Sequence, residues 1–340
     1  MMNSGTTLPV RAPGADLGDL LDVDAVSALI LAGERLLLAG DEALLARLPR
    51  GTWIGGTIPY FVAADGGTSS RERLFCTRLP AEVEVDSIRL YDAASLAHVC
   101  ADAPAEGFSV MILPAFSEVH SLFARNAPNY EDMYLKPLIG WIAGVHLDDL
   151  GRATPKVFDG SRGEGCEERA VVLHARLPEP RYARIEIVNL FRPGSGPGLR
   201  FTDKGFSAAK VLVDGIEQDF AAWLRRQGSD TRLPLVADYC GAMLNVSIKS
   251  VEAGRVDFYA PVFPDIEYRI AAPIDDYVAR FLAALPADVP PVTFSCNCIL
   301  NYLYSNLEGR HTGPMRGPAT FGEIAYQLLN QTLVYLTIEG

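Results

Sequence analysis

Residues 316–336, RGPATFGEIAYQLLNQTLVYL, carry one acid, Glu323, between a glycine and a long run of apolar and amide residues. A lone carboxylate in that setting has three uses: general acid or base, ligand anchor, or first-turn residue of a helix. The helix role is worth a few tenths to ~1 kcal/mol through the helix dipole. As an anchor, Glu323 would meet a ligand ammonium beside Arg316, Asn330 and Gln331. Those two amides offer both donors and acceptors, which suits an amino-acid-like ligand. The residues alone leave helix start and ligand anchor open.

The remaining chemistry-bearing side chains are sparse. Cys296 and Cys298 lie two apart, so on a strand they share one face, with His311 downstream. Structural zinc asks for C-x₂₋₄-C and a second ligand pair, which this grouping lacks, so the thiols read as core residues and no metal site is assigned. His98, His120, His146 and His174 are scattered, with no partner at i,i+4. Any one could serve as an axial haem ligand, because one imidazole suffices. No G-x-S-x-G elbow, Walker A loop, H-E-x-x-H or strand-to-helix G-x-G-x-x-G is present. No catalytic residue is assigned, and the sequence leans away from an enzyme.

The 340 residues suggest about two domains of ~150 residues. Lys and Arg number 30 against 42 Asp and Glu, a net charge of −12. That acidity argues against nucleic acid and against an anionic membrane surface as partners, since both need a basic face. No apolar run reaches the ~18 residues of a membrane span, and the N-terminal stretch lacks a basic-then-apolar signal pattern. The expected location is therefore the cytoplasm. Six cysteines are too few for a disulfide framework in a chain of this length.

The elements that must position these residues follow from periodicity and punctuation. Residues 1–20 read as a loose leader. Asp22 caps an apolar helical run, "ERLLLAG" and "GFSVMILPAF" read as buried strands, and Ser117 caps a helix reaching about Asn126. Gly151 to Ala170 is polar and Gly-rich, an exposed loop or hairpin. "RPGSGPGL", residues 192–199, is the best internal break, followed by strands, the helix "DDYVARFLAALP" and the buried strand "VTFSCNCIL". The expected fold is α+β, in two related halves, 21–198 and 199–340, with largely antiparallel or mixed sheets packed by helices.

Two segments share one pattern. "RGTWIGGTIPY" from Arg50 and "RGPATFGEIAY" from Arg316 both read R-G-x₄-G-x-I-x-Y, one early in the chain and one at its end. With "FSCNC" before the second copy and Asn330, Gln331 and Thr332 after it, the last ~45 residues resemble the C-terminal signature of FIST-domain proteins. The first copy resembles that family's N-terminal Gly-x-x-x-Gly-x-Ile segment, with Thr57 where the segment usually carries Glu. The resemblance implies FIST_N-like and FIST_C-like halves and a non-enzymatic sensory protein that binds a small molecule. Arg50, Thr57, Cys296, Phe321, Glu323, Arg316, Asn330 and Gln331 are the ligand-binding candidates. No output domain is attached, so a signal would pass through a separate protein partner. Two alternatives stay open: a haem-based nitric oxide sensor on the same fold, and a hydrolase or transferase using Glu323 with Cys296 or Cys298 as a thiolate of depressed pKa.

Overall fold

The computed structural model describes residues 18–239 and 242–340. Most of the expected leader, residues 1–17, lies outside them. Gly18 to Leu21, the leader's last residues and the one after it, form an edge strand on Leu74 to Thr77. Strands take 42 % of the residues and helices 17 %, in six mixed or antiparallel sheets. Apolar runs of four to eight residues, cut by Gly, Pro and Asp, produce that balance. The helices are short and start where polar residues cap them: Asp22 for α1 (Val23–Leu31), Asp41 for α2 (Glu42–Leu45) and Ser117 for α3 (Glu118–Asn126). Each cap side chain accepts a backbone N–H of the first turn.

The body is built from one strand pattern used three times. The first unit holds β1 (Gly18–Leu21), β2 (Leu36–Gly40), β3 (Trp53–Thr57), β4 (Tyr60–Ala63), β5 (Gly66–Ser69) and β6 (Leu74–Arg78). The second holds β7 (Glu84–Tyr91), β8 (Gly107–Pro114), β9 (Leu138–Ala143), β10 (Val157–Asp159), β11 (Glu164–Cys166) and β12 (Ala170–Arg176). The third opens with β13 (Tyr182–Val188) and resumes after an insertion at β23 (Val292–Cys298), β24 (Gly317–Thr320), β25 (Glu323–Ala325), β26 (Gln327–Leu329) and β27 (Leu333–Glu339). In each unit a strand, a helix and a parallel strand follow in turn: β2–α2–β3, β8–α3–β9, and β23–α6–β24 with α6 at Ile299–Tyr304.

The hairpin after each parallel pair leaves its own sheet. β4–β5 pairs with β24, β25–β26 with β9, and β10–β11 with β3. The three sheets therefore run β1-β6-β2-β3-β10-β11, β7-β12-β8-β9-β25-β26 and β13-β27-β23-β24-β4-β5, each completed by a neighbour. The two matched turn sequences lie at the β3–β4 and β24–β25 junctions, two of three equivalent positions, so the recurrence in the body is threefold and not a pair of halves. The third junction, at Gly144, hydrogen-bonds the first: Gly144 N donates to Thr57 O at 2.6 Å, and Ile142 N to Gly322 O at 2.8 Å. One apolar core joins the units, with Trp141 stacked on Phe294 at 5.3 Å.

Between β13 and β23 stands an inserted module. It contains β14 (Leu199–Arg200), β15 (Gly205–Ala208), β16 (Lys210–Val213), β17 (Ile216–Asp219), α4 (Phe220–Gln227), β18 (Leu235–Tyr239), β19 (Ala242–Val246), β20 (Ile248–Glu252), β21 (Arg255–Val262) and β22 (Arg269–Ile270). These make three three-stranded sheets around a separate core that includes Phe201, Phe220, Phe258 and Tyr268. The Gly/Pro-rich break at residues 192–199 leads into this module, and α5 (Tyr277–Ala284), capped by Asp276, leads out of it. No helix among the described residues is long and apolar enough to cross a membrane.

Three local expectations change. Residues 316–336 hold β24 to β26 and the start of β27, so Glu323 begins a strand and caps no helix. Residues 93–104 are expected from their sequence as a short helix, and only one 3₁₀ turn, Leu96–His98, forms there. The Gly-rich stretch 151–170 supplies the fully buried β10, because that strand completes another unit's sheet.

This interlocking predicts that the halves suggested by the sequence do not fold alone. A fragment of residues 21–198 keeps β4–β5 and β9 but lacks β24 and β25, their partners. Far-UV circular dichroism should show no cooperative melting for the fragment where the full chain melts cooperatively. A sharp transition in the fragment would contradict the exchange.

Candidate functional site

Glu323 sits opposite Trp141 of β9 and is fully buried. Its Oε2 accepts from Thr332 Oγ1 at 2.7 Å and Thr332 N at 3.2 Å, while Oε1 has no hydrogen-bond partner among the described residues. Burial dominates its proton affinity and pushes the pKa up to about 8, against the opposing effect of Thr332 and the nearby Cys298 thiol. The carboxyl is thus largely protonated at neutral pH and does not offer an ammonium ligand a full negative charge. Burial, and then the neighbouring Glu323, push the Cys296 and Cys298 thiols well above the ordinary thiol range. A nucleophilic cysteine needs the reverse.

The other candidates separate. Gln331 bridges module and body: its Oε1 accepts from Ser247 Oγ at 2.7 Å and its Nε2 donates to Arg232 O at 3.1 Å. Asn330 is buried and donates Nδ2 to Leu329 O, while its carbonyl accepts from Asn245 Nδ2. Cys296 is turned to Gly140 O at 3.4 Å. The Thr57 hydroxyl accepts from Lys156 N at 2.8 Å, fixing β3 to the segment that enters β10. Arg50 is exposed, and the Arg316 carbonyl accepts from Ser295 Oγ. Of the eight, Glu323, Cys296, Asn330 and Gln331 are buried within or beside the third unit, where they serve cohesion. Phe321 alone lines the cavity described next.

That cavity, about 310 Å³, opens where the inserted module leans on the start of α3. Its aromatic walls are Phe116, Phe206, Phe258, Tyr259 and Phe321. Its polar groups are Ser117, His120, Ser121, Lys249, Arg255 and Asp257. The body contributes through the β8–α3 connection and the β24–β25 junction, and the module through β15, β20 and β21. Phe116 is unusual on two counts. Its φ is +67°, a left-handed conformation that is costly for a bulky side chain, and it is 58 % exposed. Its ring meets Phe321 edge-on at 6.1 Å, and Lys249 Nζ lies 5.2 Å from its centre.

His120 supplies the cavity's polar centre. The Ser117 cap starts α3 so that His120 falls in its first turn, where its Nδ1 accepts from Phe116 N at 3.2 Å. That bond places the ring proton on Nε2, a buried donor with no partner among the described residues. The residue is only 9 % exposed, and burial lowers its pKa to about 4. Metal-bound imidazoles use the opposite arrangement, donating through the second nitrogen, so this tautomer does not ligate haem iron. His174 is also buried, but Ser109 Oγ and Tyr91 OH occupy both its nitrogens. Tyr91 donates to Asp102 Oδ2, so the chain Ser109–His174–Tyr91–Asp102 is satisfied throughout. Among the described residues no three His, Cys, Asp or Glu side chains gather as a metal site.

Apart from Phe321, the cavity's own residues carry no signal in the sequence. His120 was one of five unpaired histidines, and Lys249 lies 129 positions downstream of it. The legible signal was the Ser117 cap, which fixes His120 at a helix start.

These features define a strand-rich protein of mixed and antiparallel sheets, with three exchanged units and a module-flanked cavity. The chain belongs to the family of unknown function DUF6976, which it matches over residues 21–339. A comparison with curated proteins finds no match.

The buried Glu323 predicts a pH signature. The unfolded carboxyl ionises near 4.5 and the folded one near 8, so its stabilising contribution is complete below 4.5 and is lost as pH rises through 8. From pH 5.5 to 7.5 the wild type should lose about 2–3 kcal/mol relative to Glu323→Gln. Parallel stability curves from urea unfolding at the two pH values would contradict this.

Proposed function

We propose that the protein is a non-enzymatic, small-molecule-binding protein whose ligand occupies the cavity between α3 and the inserted module. One observation carries the reading: the His120 Nε2–H is buried, without a partner among the described residues, inside an aromatic-walled cavity. An unpaired buried donor costs roughly 1–3 kcal/mol, and a ligand acceptor would recover that cost. The left-handed Phe116 at the same cavity supports the reading, because backbone strain gathers at ligand sites.

The two-sided lining gives such binding a consequence. A ligand touching both body and module would fix their relation, the step a sensory protein needs before a separate partner can read it. The resemblance to FIST domains points to the same sensory class. Glu323, Asn330 and Gln331 then belong to the framework behind the site.

A thermal-shift screen of a chemically mixed fragment library tests the reading. A ligand at ten times its Kd adds about 1.4 kcal/mol of stability. Hits should be lost in Ser121→Phe, whose ring would fill the cavity. No hit at millimolar concentration, or hits indifferent to that substitution, would overturn the reading.

A further inference from the structure

We infer that the ligand of this cavity is a small organic anion, a carboxylate carried on an apolar or aromatic body, with its oxygens between Lys249 Nζ and His120 Nε2–H. The inference rests on the reading above and adds the ligand's chemical class. It follows from the charges that face the cavity. Of the three charged lining residues, Arg255 and Asp257 are paired, Nε to Oδ1 at 2.7 Å, and Asp257 Oδ2 accepts from Ser250 Oγ. Lys249 makes no ion pair among the described residues and rests over the Phe116 ring. Among the described lining residues two cations, Lys249 and Arg255, thus stand against one carboxylate, Asp257, which leaves a net positive charge.

The neutral polar groups have the same preference. With Nδ1 occupied by the Phe116 N–H, His120 can only donate through Nε2. The nine-residue α3 begins at this wall, with Ser117, His120 and Ser121 lining the cavity, so the positive end of its dipole also favours an anion. No free carboxylate lines the cavity to receive an ammonium, since Asp257 is engaged by Arg255 and Ser250. A simple carboxylate thus fits better than a zwitterionic amino acid. The five aromatic side chains supply the surface for the rest of the molecule, and about 310 Å³ sits at the small end of ligand cavities.

Three isosteric probes separate the possibilities: phenylacetate, phenylacetamide and phenethylamine, titrated into the full chain at pH 7 and followed by the NMR signals of the His120 and Phe116 rings. Phenylacetate should bind at least about ten-fold tighter than the amide, the scale of one charge-assisted hydrogen bond, and the amine should not bind. Lys249→Ala, at an exposed side chain, should lower phenylacetate affinity about ten-fold, while Lys249→Arg keeps it. Raising the salt concentration should weaken phenylacetate binding in the wild type more than in Lys249→Ala. Equal or tighter binding of the amide or amine at the same rings overturns the anion and leaves the small-molecule reading standing. Silence from all three probes at 10 mM overturns the inference, and the mixed-library screen decides the broader reading separately. A hit that spares both rings and survives Lys249→Ala also overturns it.

Discussion

Backbone hydrogen bonds passed between units are the constraint on which this structure depends. Each βαβ unit leaves a sheet edge that its own hairpin does not cover, and a hairpin from another unit covers it. Uncovered edges would expose a row of unpaired N–H and C=O groups, so the three units are stable only together. The crossing points, at Thr57, Gly144 and Gly322, are tied by short backbone bonds. The glycine at 144 is required there: a Cβ would stand 2.4 Å from the Phe321 ring. Close packing of the exchange thus also places Phe321 in the cavity wall.

The buried polar groups of the third unit serve the same end. Thr332 holds Glu323, while Gln331 holds Ser247 and the Arg232 carbonyl, so the turn between β26 and β27 is locked to the inserted module. Gln331 itself takes a φ of +50°, which the reciprocal bonds hold in place. The module is anchored on that side, and on the other its β15, β20 and β21 face α3 across the cavity. A site made this way has one wall fixed by the body and one supplied by a module with its own core.

Much of the local structure was legible in the sequence. Asp22 and Ser117 capped the helices they were expected to cap, and the apolar runs around Leu36 to Gly40 and Gly107 to Pro114 became buried strands. Strand exchange was not legible, because periodicity reports which face a strand buries and carries no record of which sheet it joins. Thus the R-G-x₄-G-x-I-x-Y pair was a true structural echo, but the third junction, at Gly144, has lost the sequence pattern. Glu323 was read as a helix-start acid or a ligand anchor, and it begins a buried strand instead of a helix. Its setting in a strand core, with the pKa it brings, required knowledge of β9 beside it. Phe116, His120, Phe206 and Lys249 come together only in three dimensions, and residue types alone could not separate His120 from four other histidines.

Ligand binding at this cavity depends, in the proposed reading, on the proton that His120 presents to it. Long-range ¹H–¹⁵N correlation of the imidazole rings, assigned with a His120→Gln variant, reads that proton directly. The structure predicts the Nε2–H tautomer for His120, neutral throughout pH 8 to 5.5, because Nδ1 is occupied by Phe116 N and burial holds the pKa to about 4. An Nδ1–H tautomer, or a titration midpoint near 6.5, would contradict it.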